Sequence, residues 1–142
     1  MPNEQKPRLK LYHASPSRSS ITLWMLEELG EPYAIELIDL KKGEQLEPAY
    51  LAINPMGKVP ALDDDGIIVT EGAAICCYLA DAFPKAGLAA DVVIGSGLRW
   101  GMLFKLLPEW PEFVAYTRRL AQRPALQQQI ARDEAFARQG AG

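Results

Sequence analysis

The stretch 59–84, VPALDDDGIIVTEGAAICCYLADAFP, holds two short apolar runs joined by an Asp-Gly turn, followed by a helical pattern. Asp-Gly between apolar runs is a strong hairpin signal, so we predict strands over Val59–Asp63 and Ile67–Thr70. A helix is predicted over Glu71–Ala82, because the proline that follows cannot continue it. The stretch therefore predicts a ββα unit.

A βαβ unit is predicted upstream of this stretch. Strands are predicted over Arg8–His13 and Tyr33–Ile38, with a helix over Ile21–Leu29 that ends at Gly30. Two strands joined through a helix run parallel in one sheet. With a short helix over Gln45–Ile53, the order βαβ-α-ββα predicts an α/β fold, in which a four-stranded mixed sheet carries helices on its faces.

The rest of the chain has helical patterns. Helices are predicted over Asp91–Leu107, Pro111–Gln122 and Pro124–Arg138, the last two beginning with proline at a first-turn position. We therefore expect an α/β unit at 8–84 and an all-helical unit at 89–139.

Composition restricts the class of protein. The chain has 142 residues, of which 49% are hydrophobic, and its net charge of −3 argues against a nucleic-acid partner. No apolar run is long enough for a membrane span, and the polar start lacks the apolar segment of a signal peptide, which predicts a cytoplasmic protein. The adjacent Cys76 and Cys77 form no CxxC motif and are predicted to be small buried residues without a metal.

Four segments, in order and at matching spacing, resemble the glutathione S-transferase family, particularly its bacterial members. They are LYHASPSRSS at 11–20, NPMGKVPAL at 54–62, TEGAAICCYLADAFP at 70–84 and ADVVIGSGLRWGMLF at 90–104. The resemblance implies a thioredoxin-like domain followed by an all-helical domain. That helical domain is truncated here, because the chain passes from about Ala86 almost directly into the family's late helix.

The resemblance also implies a function. Family members bind glutathione as a substrate and stabilise its thiolate for attack on a small electrophile, without a further cofactor. The missing helices normally form much of the homodimer contact and one wall of the electrophile pocket, so both dimerisation and catalysis remain open. The alternative is a non-catalytic glutathione-binding or scaffold remnant with an internal deletion. A glutaredoxin-like oxidoreductase is disfavoured, because no cysteine opens the first helix.

The peptide bond between Val59 and Pro60 is cis in the family. That geometry implies that Val59 offers its N–H and C=O to the cysteinyl backbone of glutathione, as an added strand would. Lys58 matches a position that in some classes contacts the glycyl carboxylate. The alternatives are a plain loop proline and a solvated lysine.

Glu71 and Gly72 open the predicted third helix. The resemblance implies that Glu71 holds the γ-glutamyl ammonium, while the free N–H groups of the helix start receive the γ-glutamyl carboxylate. The alternative is that Glu71 only complements the helix dipole. The family usually has serine at Gly72, and a lost hydrogen bond to a charged group lowers affinity by about ten- to a hundredfold.

The start of the first helix is crowded with hydroxyls. The resemblance places the catalytic group here, and we predict Ser17 first and Ser15 second, with Arg18 as electrostatic help. The alternative for each serine is a helix N-cap. His13 is predicted to be structural, and Trp100 to lie in the core.

Overall fold

The computed structural model describes residues 7–84 and 89–139. Its strands are β1 (Leu9–His13), β2 (Tyr33–Leu37), β3 (Ala61–Asp64) and β4 (Ile67–Thr70). Its helices are α1 (Ser20–Leu29), α2 (Pro48–Leu51), α3 (Gly72–Ala82), α4 (Ala89–Leu103), α5 (Pro111–Leu120) and α6 (Pro124–Gln139), with a 3₁₀ turn at Glu44–Leu46. This order confirms the predicted α/β fold. The junction near Ala86 lies outside the described residues.

The four strands form one mixed sheet in the order β2-β1-β3-β4. β1 and β2 are parallel, with Leu9 opposite Tyr33. β3 runs antiparallel to both β1 and β4, and the tight turn between β3 and β4 is the predicted Asp-Gly hairpin. The connection between β2 and β3 therefore ends beside the central strand β1, next to the start of α1.

Side chains alternate across the central strand β1 and divide the core in two. Leu9 and Leu11 point to one face, where they join buried residues of α1, α3 and the three C-terminal helices in a single apolar cluster. Tyr12 points to the other face and packs edge-on against Tyr50 of α2, with ring centroids 5.8 Å apart. The main core thus continues from the sheet into α4–α6.

A glycine lets α4 approach α1 and α5 closely. A Cβ atom at Gly95 would lie 2.3 Å from Leu120 Cδ1 and 3.4 Å from Trp24 Cη2, so no larger residue fits without displacing its neighbours. Trp24 is 1% exposed and belongs to the main core. This close packing places the following turn of α4 next to the N-terminal end of α1.

Several predicted elements differ in their bounds from the observed ones. The helix predicted over Gln45–Ile53 is a 3₁₀ turn and the short α2, because Glu47 between them is extended. The third strand begins at Ala61 rather than Val59. α4 ends at Leu103 rather than at Leu107. The chain turns just after Leu103, at Lys105, which has a φ of +56°.

The two cysteines have different environments on α3. Cys76 is buried, as predicted, and burial raises the pKa of its thiol to about 12. Cys77 is exposed, so the prediction of burial is wrong for it. Separately, within 7–84 and 89–139, no helix is both long and apolar enough to cross a membrane.

Candidate functional site

A groove of about 280 Å³ lies where the loop before β3, the start of α3 and the middle of α4 meet. Six of the eight predicted site residues line it, namely Arg18, Lys58, Val59, Pro60, Glu71 and Gly72. These residues come from three separated segments of the chain. The fold therefore brings together the groups that the sequence placed in one binding site.

The loop before β3 presents an open backbone edge to the groove. The peptide bond between Val59 and Pro60 is cis. The preceding carbonyl of Lys58 accepts hydrogen bonds from Tyr50 Oη (2.6 Å) and Asn54 Nδ2 (2.7 Å), which fix the loop. Among the described residues, the N–H and C=O of Val59 have no backbone partner. They are therefore available to an extended ligand.

The start of α3 is the second wall of the groove. Glu71, the N-cap residue, has a φ of +67° and makes no side-chain capping bond. A non-glycine residue in this region costs about 1–3 kcal/mol, and such strain is typical of functional sites. No side-chain cap covers the first N–H groups of the helix, which makes them available to an anion.

The groove carries both signs of charge. Arg18 and Lys58 supply two cations and Glu71 supplies one carboxylate. All three side chains are exposed, and no ion pair joins them to one another. The arrangement complements a small ligand that has one cationic and two anionic groups.

Gly72 is explained by its contact with α1. A Cβ atom at this position would lie 2.7 Å from Ile21 Cγ2, closer than van der Waals contact allows. The β-branched Ile21 is held stiffly in its helix and cannot swing away. We therefore expect Gly72→Ser to lower the free energy of unfolding by about 1–3 kcal/mol in urea titration, and to be tolerated once Ile21 is also replaced by alanine.

Gly97→Ser is the matched control for this prediction. It also lies on a helix beside the groove, but a Cβ atom there meets nothing within 4 Å, so this variant should lose no stability. The steric explanation is wrong if Gly72→Ser lowers the free energy of unfolding equally in the unmodified chain and in the Ile21→Ala variant.

The two predicted catalytic serines are hydrogen-bonded to the protein. Ser17 Oγ donates to the carbonyl of Ala14 (2.6 Å), and Ser15 Oγ donates to the carbonyl of Asp133 (2.8 Å). Neither serine lines the groove, although Ser15 lines a second cavity beside it. Their catalytic role stays a prediction, and it requires a hydroxyl to rotate away from its present acceptor.

Ser96 and Trp100 of α4 are site residues that the sequence did not identify. Both line the groove and also the second cavity, as does Ile21. Ser96 is 9% exposed, and its hydroxyl makes no hydrogen bond to the part of the chain that the structure describes. Trp100, predicted to lie in the core, is only partly buried and stacks on Phe104. Their placement depends on the packing of α4, which no local pattern reports.

A buried polar cluster fixes α6 against the start of α1. His13 Nε2 donates to Asp133 Oδ1 (2.7 Å), and His13 Nδ1 lies 2.7 Å from Ser19 Oγ. The hydroxyl of Ser20 donates to the other carboxylate oxygen. His13 and Ser19 are fully buried, which gives His13 the structural environment predicted for it.

Comparison with known proteins identifies relatives of the N-terminal part. Residues 17–82 match the family profile described as glutathione S-transferase, N-terminal domain. A glutathione S-transferase of Hypomyces subiculosus is 47% identical over 73 residues, which cover 51% of this chain and 34% of the relative. The chain spans about a third of the length of the curated relatives it matches.

Solved structures extend the likeness to the helices. The crystal structure of a glutathione transferase from Methylococcus capsulatus superposes with a TM-score of 0.77 at 22% identity, covering 89% of this chain and 99% of that one, which supports the fold. A glutathione transferase homologue from Sulfitobacter, solved with bound glutathione, has a TM-score of 0.55 at 27% identity. That alignment covers 90% of this chain and 67% of the homologue.

Proposed function

We propose that this chain, a member of the glutathione S-transferase family, binds glutathione in the groove and stabilises its thiolate for attack on an electrophile. The observation that carries the proposal is the meeting of the backbone N–H and C=O of Val59, unpaired among the described residues, with the uncapped start of α3. Glutathione has an extended backbone, one ammonium and two carboxylates, and each of these groups has a counterpart in the groove.

The proposed orientation follows from those counterparts. The cysteinyl backbone pairs with the N–H and C=O of Val59, and the γ-glutamyl ammonium faces Glu71. The γ-glutamyl carboxylate lies at the first N–H groups of α3, and the glycyl carboxylate lies towards Lys58. This orientation directs the thiol towards the part of the groove lined by Ile21, Ser96 and Trp100, where the second cavity begins.

The proposed reaction forms a bond between the glutathione sulfur and an electrophilic carbon of the second substrate. That carbon releases its leaving group with the bonding electrons, and the thiol proton passes to solvent. A free cysteine thiol has a pKa of about 8.5, so little thiolate exists at neutral pH. Lowering that pKa by about 2 units requires about 2.7 kcal/mol of preferential stabilisation of the thiolate.

Ser96 is the hydroxyl we propose for part of that stabilisation, alongside the predicted Ser17, Ser15 and Arg18. Its hydroxyl forms no hydrogen bond with the described residues, whereas the two predicted serines donate to backbone carbonyls. Loss of a hydrogen bond to the thiolate is worth about 1.5 kcal/mol or more, or about one pKa unit. In Ser96→Ala the pKa of bound glutathione should therefore rise by about one unit, measured from the ultraviolet absorbance of the thiolate against pH.

Ser17→Ala and Ser15→Ala are the comparison variants for this titration. A pKa that rises in Ser17→Ala and stays constant in Ser96→Ala would assign the thiolate donor to α1, as the sequence predicts, and reject Ser96. Whether the thiolate donor is Ser96 or a serine of the α1 start, the proposed binding site is the same groove.

Two measurements test the proposed function as a whole. Calorimetry with reduced glutathione should show saturable binding, and a panel of chemically varied electrophiles should show conjugation that depends on glutathione. Binding without conjugation would reject the transferase activity and leave a glutathione-binding protein. Absence of binding would reject the proposal entirely.

A further inference from the structure

The second cavity lies between the N-terminal end of α1, α4 and α6, and has a volume of about 660 Å³. It shares Ile21, Ser96 and Trp100 with the groove. If glutathione occupies the groove as proposed above, this cavity faces its thiol and is the place for the second substrate. The nature of its lining then indicates which substrates fit.

Most of the cavity wall is apolar, but one cation belongs to it. Leu103 and Met102 of α4 and Ile130 of α6 provide apolar surface, and Arg99 of α4 lines the same cavity. An aromatic or aliphatic part of a ligand can pack against these side chains. Arg99 then favours those apolar ligands that also carry a negative charge.

Arg99 is partly buried and unpaired. Within residues 7–84 and 89–139, no carboxylate oxygen lies within 4.0 Å of its guanidinium, and burial alone lowers its pKa. Arg123, by contrast, binds both carboxylate oxygens of Glu28, at 2.6 and 2.9 Å. An unpaired guanidinium removed from water is unfavourable unless an anion joins it.

The carboxylates that line the same cavity do not serve as the anionic partner of Arg99. Asp133 accepts hydrogen bonds from His13 and Ser20 and is held in the buried cluster. Glu109 and Glu134 are exposed, so water and salt screen their charges. Among the described residues that line the cavity, Arg99 is therefore the one cation, and it has no carboxylate partner.

We propose that the second cavity binds apolar electrophiles carrying a carboxylate, with Arg99 holding the carboxylate and the apolar wall packing against the rest of the molecule. A planar guanidinium suits this group, because it can donate two parallel hydrogen bonds to one carboxylate. The carboxylate serves recognition only and takes no part in the bonds that form and break at the electrophilic carbon.

Calorimetry with 2-naphthoate and 2-naphthamide tests this selectivity, since the two probes differ only in the charged group. We expect the wild-type chain to bind the naphthoate at least about tenfold more tightly. Arg99→Gln should remove that preference by weakening naphthoate binding, while naphthamide binding changes by less than about twofold. Arg118→Gln, an equal charge change on the exposed face of α5, should leave both affinities unchanged.

The titrations contain no glutathione, so they succeed or fail independently of the proposed function. Arg99→Lys provides a second variant with retained charge, which should keep a weaker preference for the naphthoate, and circular dichroism checks that each variant is folded. Equal binding of the two probes by the wild-type chain would overturn the proposal. So would a preference for naphthoate that persists in Arg99→Gln.

Discussion

Glutathione binding is expected to weaken by about ten- to a hundredfold when Glu71 is replaced by glutamine, because one hydrogen bond to a charged group is worth about 1.5–3 kcal/mol. Glu71 is the only acidic side chain that lines the groove within the described residues. The substitution keeps the size of the side chain and removes only its charge. Calorimetry with reduced glutathione measures the change directly.

Glu31→Gln is the matched control for this variant. Glu31 is exposed, lies in the loop after α1 and does not line the groove, so its substitution makes the same change in net charge elsewhere. The affinity of the Glu31→Gln variant for glutathione should equal that of the unmodified chain. If both variants weaken binding equally, the effect comes from net charge, and the proposed role of Glu71 is wrong.

The second large effect is expected at Asp133. In Asp133→Ala the buried His13 and the side chains of Ser20 and Gln129 lose their common acceptor. A buried donor left without an acceptor costs about 1–3 kcal/mol, so we expect the free energy of unfolding to fall by about 3 kcal/mol in urea titration. The substitution also removes the side-chain hydrogen bonds that join His13 and Ser20 to α6.

The neighbouring Glu134→Ala provides the control, since Glu134 is exposed and forms no hydrogen bond or ion pair with the described residues. It should change stability by less than about 0.5 kcal/mol. Equal losses in the two variants would show that the buried cluster contributes no specific stability, contrary to the expectation from its geometry.

Local patterns were sufficient to predict the sheet, whereas the residues that line the groove were implied by the family resemblance. The Asp-Gly turn fixed the hairpin, and the βαβ pattern fixed the parallel pair, both of which depend on residues close in sequence. The meeting of Val59 with Glu71 follows from the order of β3, β4 and α3 once the hairpin is known. These predictions needed no knowledge of the C-terminal helices.

The contacts that could not be predicted depend on packing between elements that are far apart in the sequence. Ser96 and Arg99 lie on α4, and Gly95 on that helix has room for no Cβ atom beside Leu120 of α5 and Trp24 of α1. The partner of His13 is Asp133, 120 residues away, and no spacing rule connects them. The need for a small residue at position 72 likewise comes from Ile21, which belongs to another helix.

The central claim is that glutathione binds between the backbone of Val59, in the loop before β3, and the start of α3. An NMR titration of the ¹⁵N-labelled chain with reduced glutathione tests it most directly. The account predicts saturable shifts of the amide resonances of Val59, Gly72 and Ala73, with little change in α5. Shifts confined to other parts of the chain, or no shifts at saturating glutathione, would contradict it.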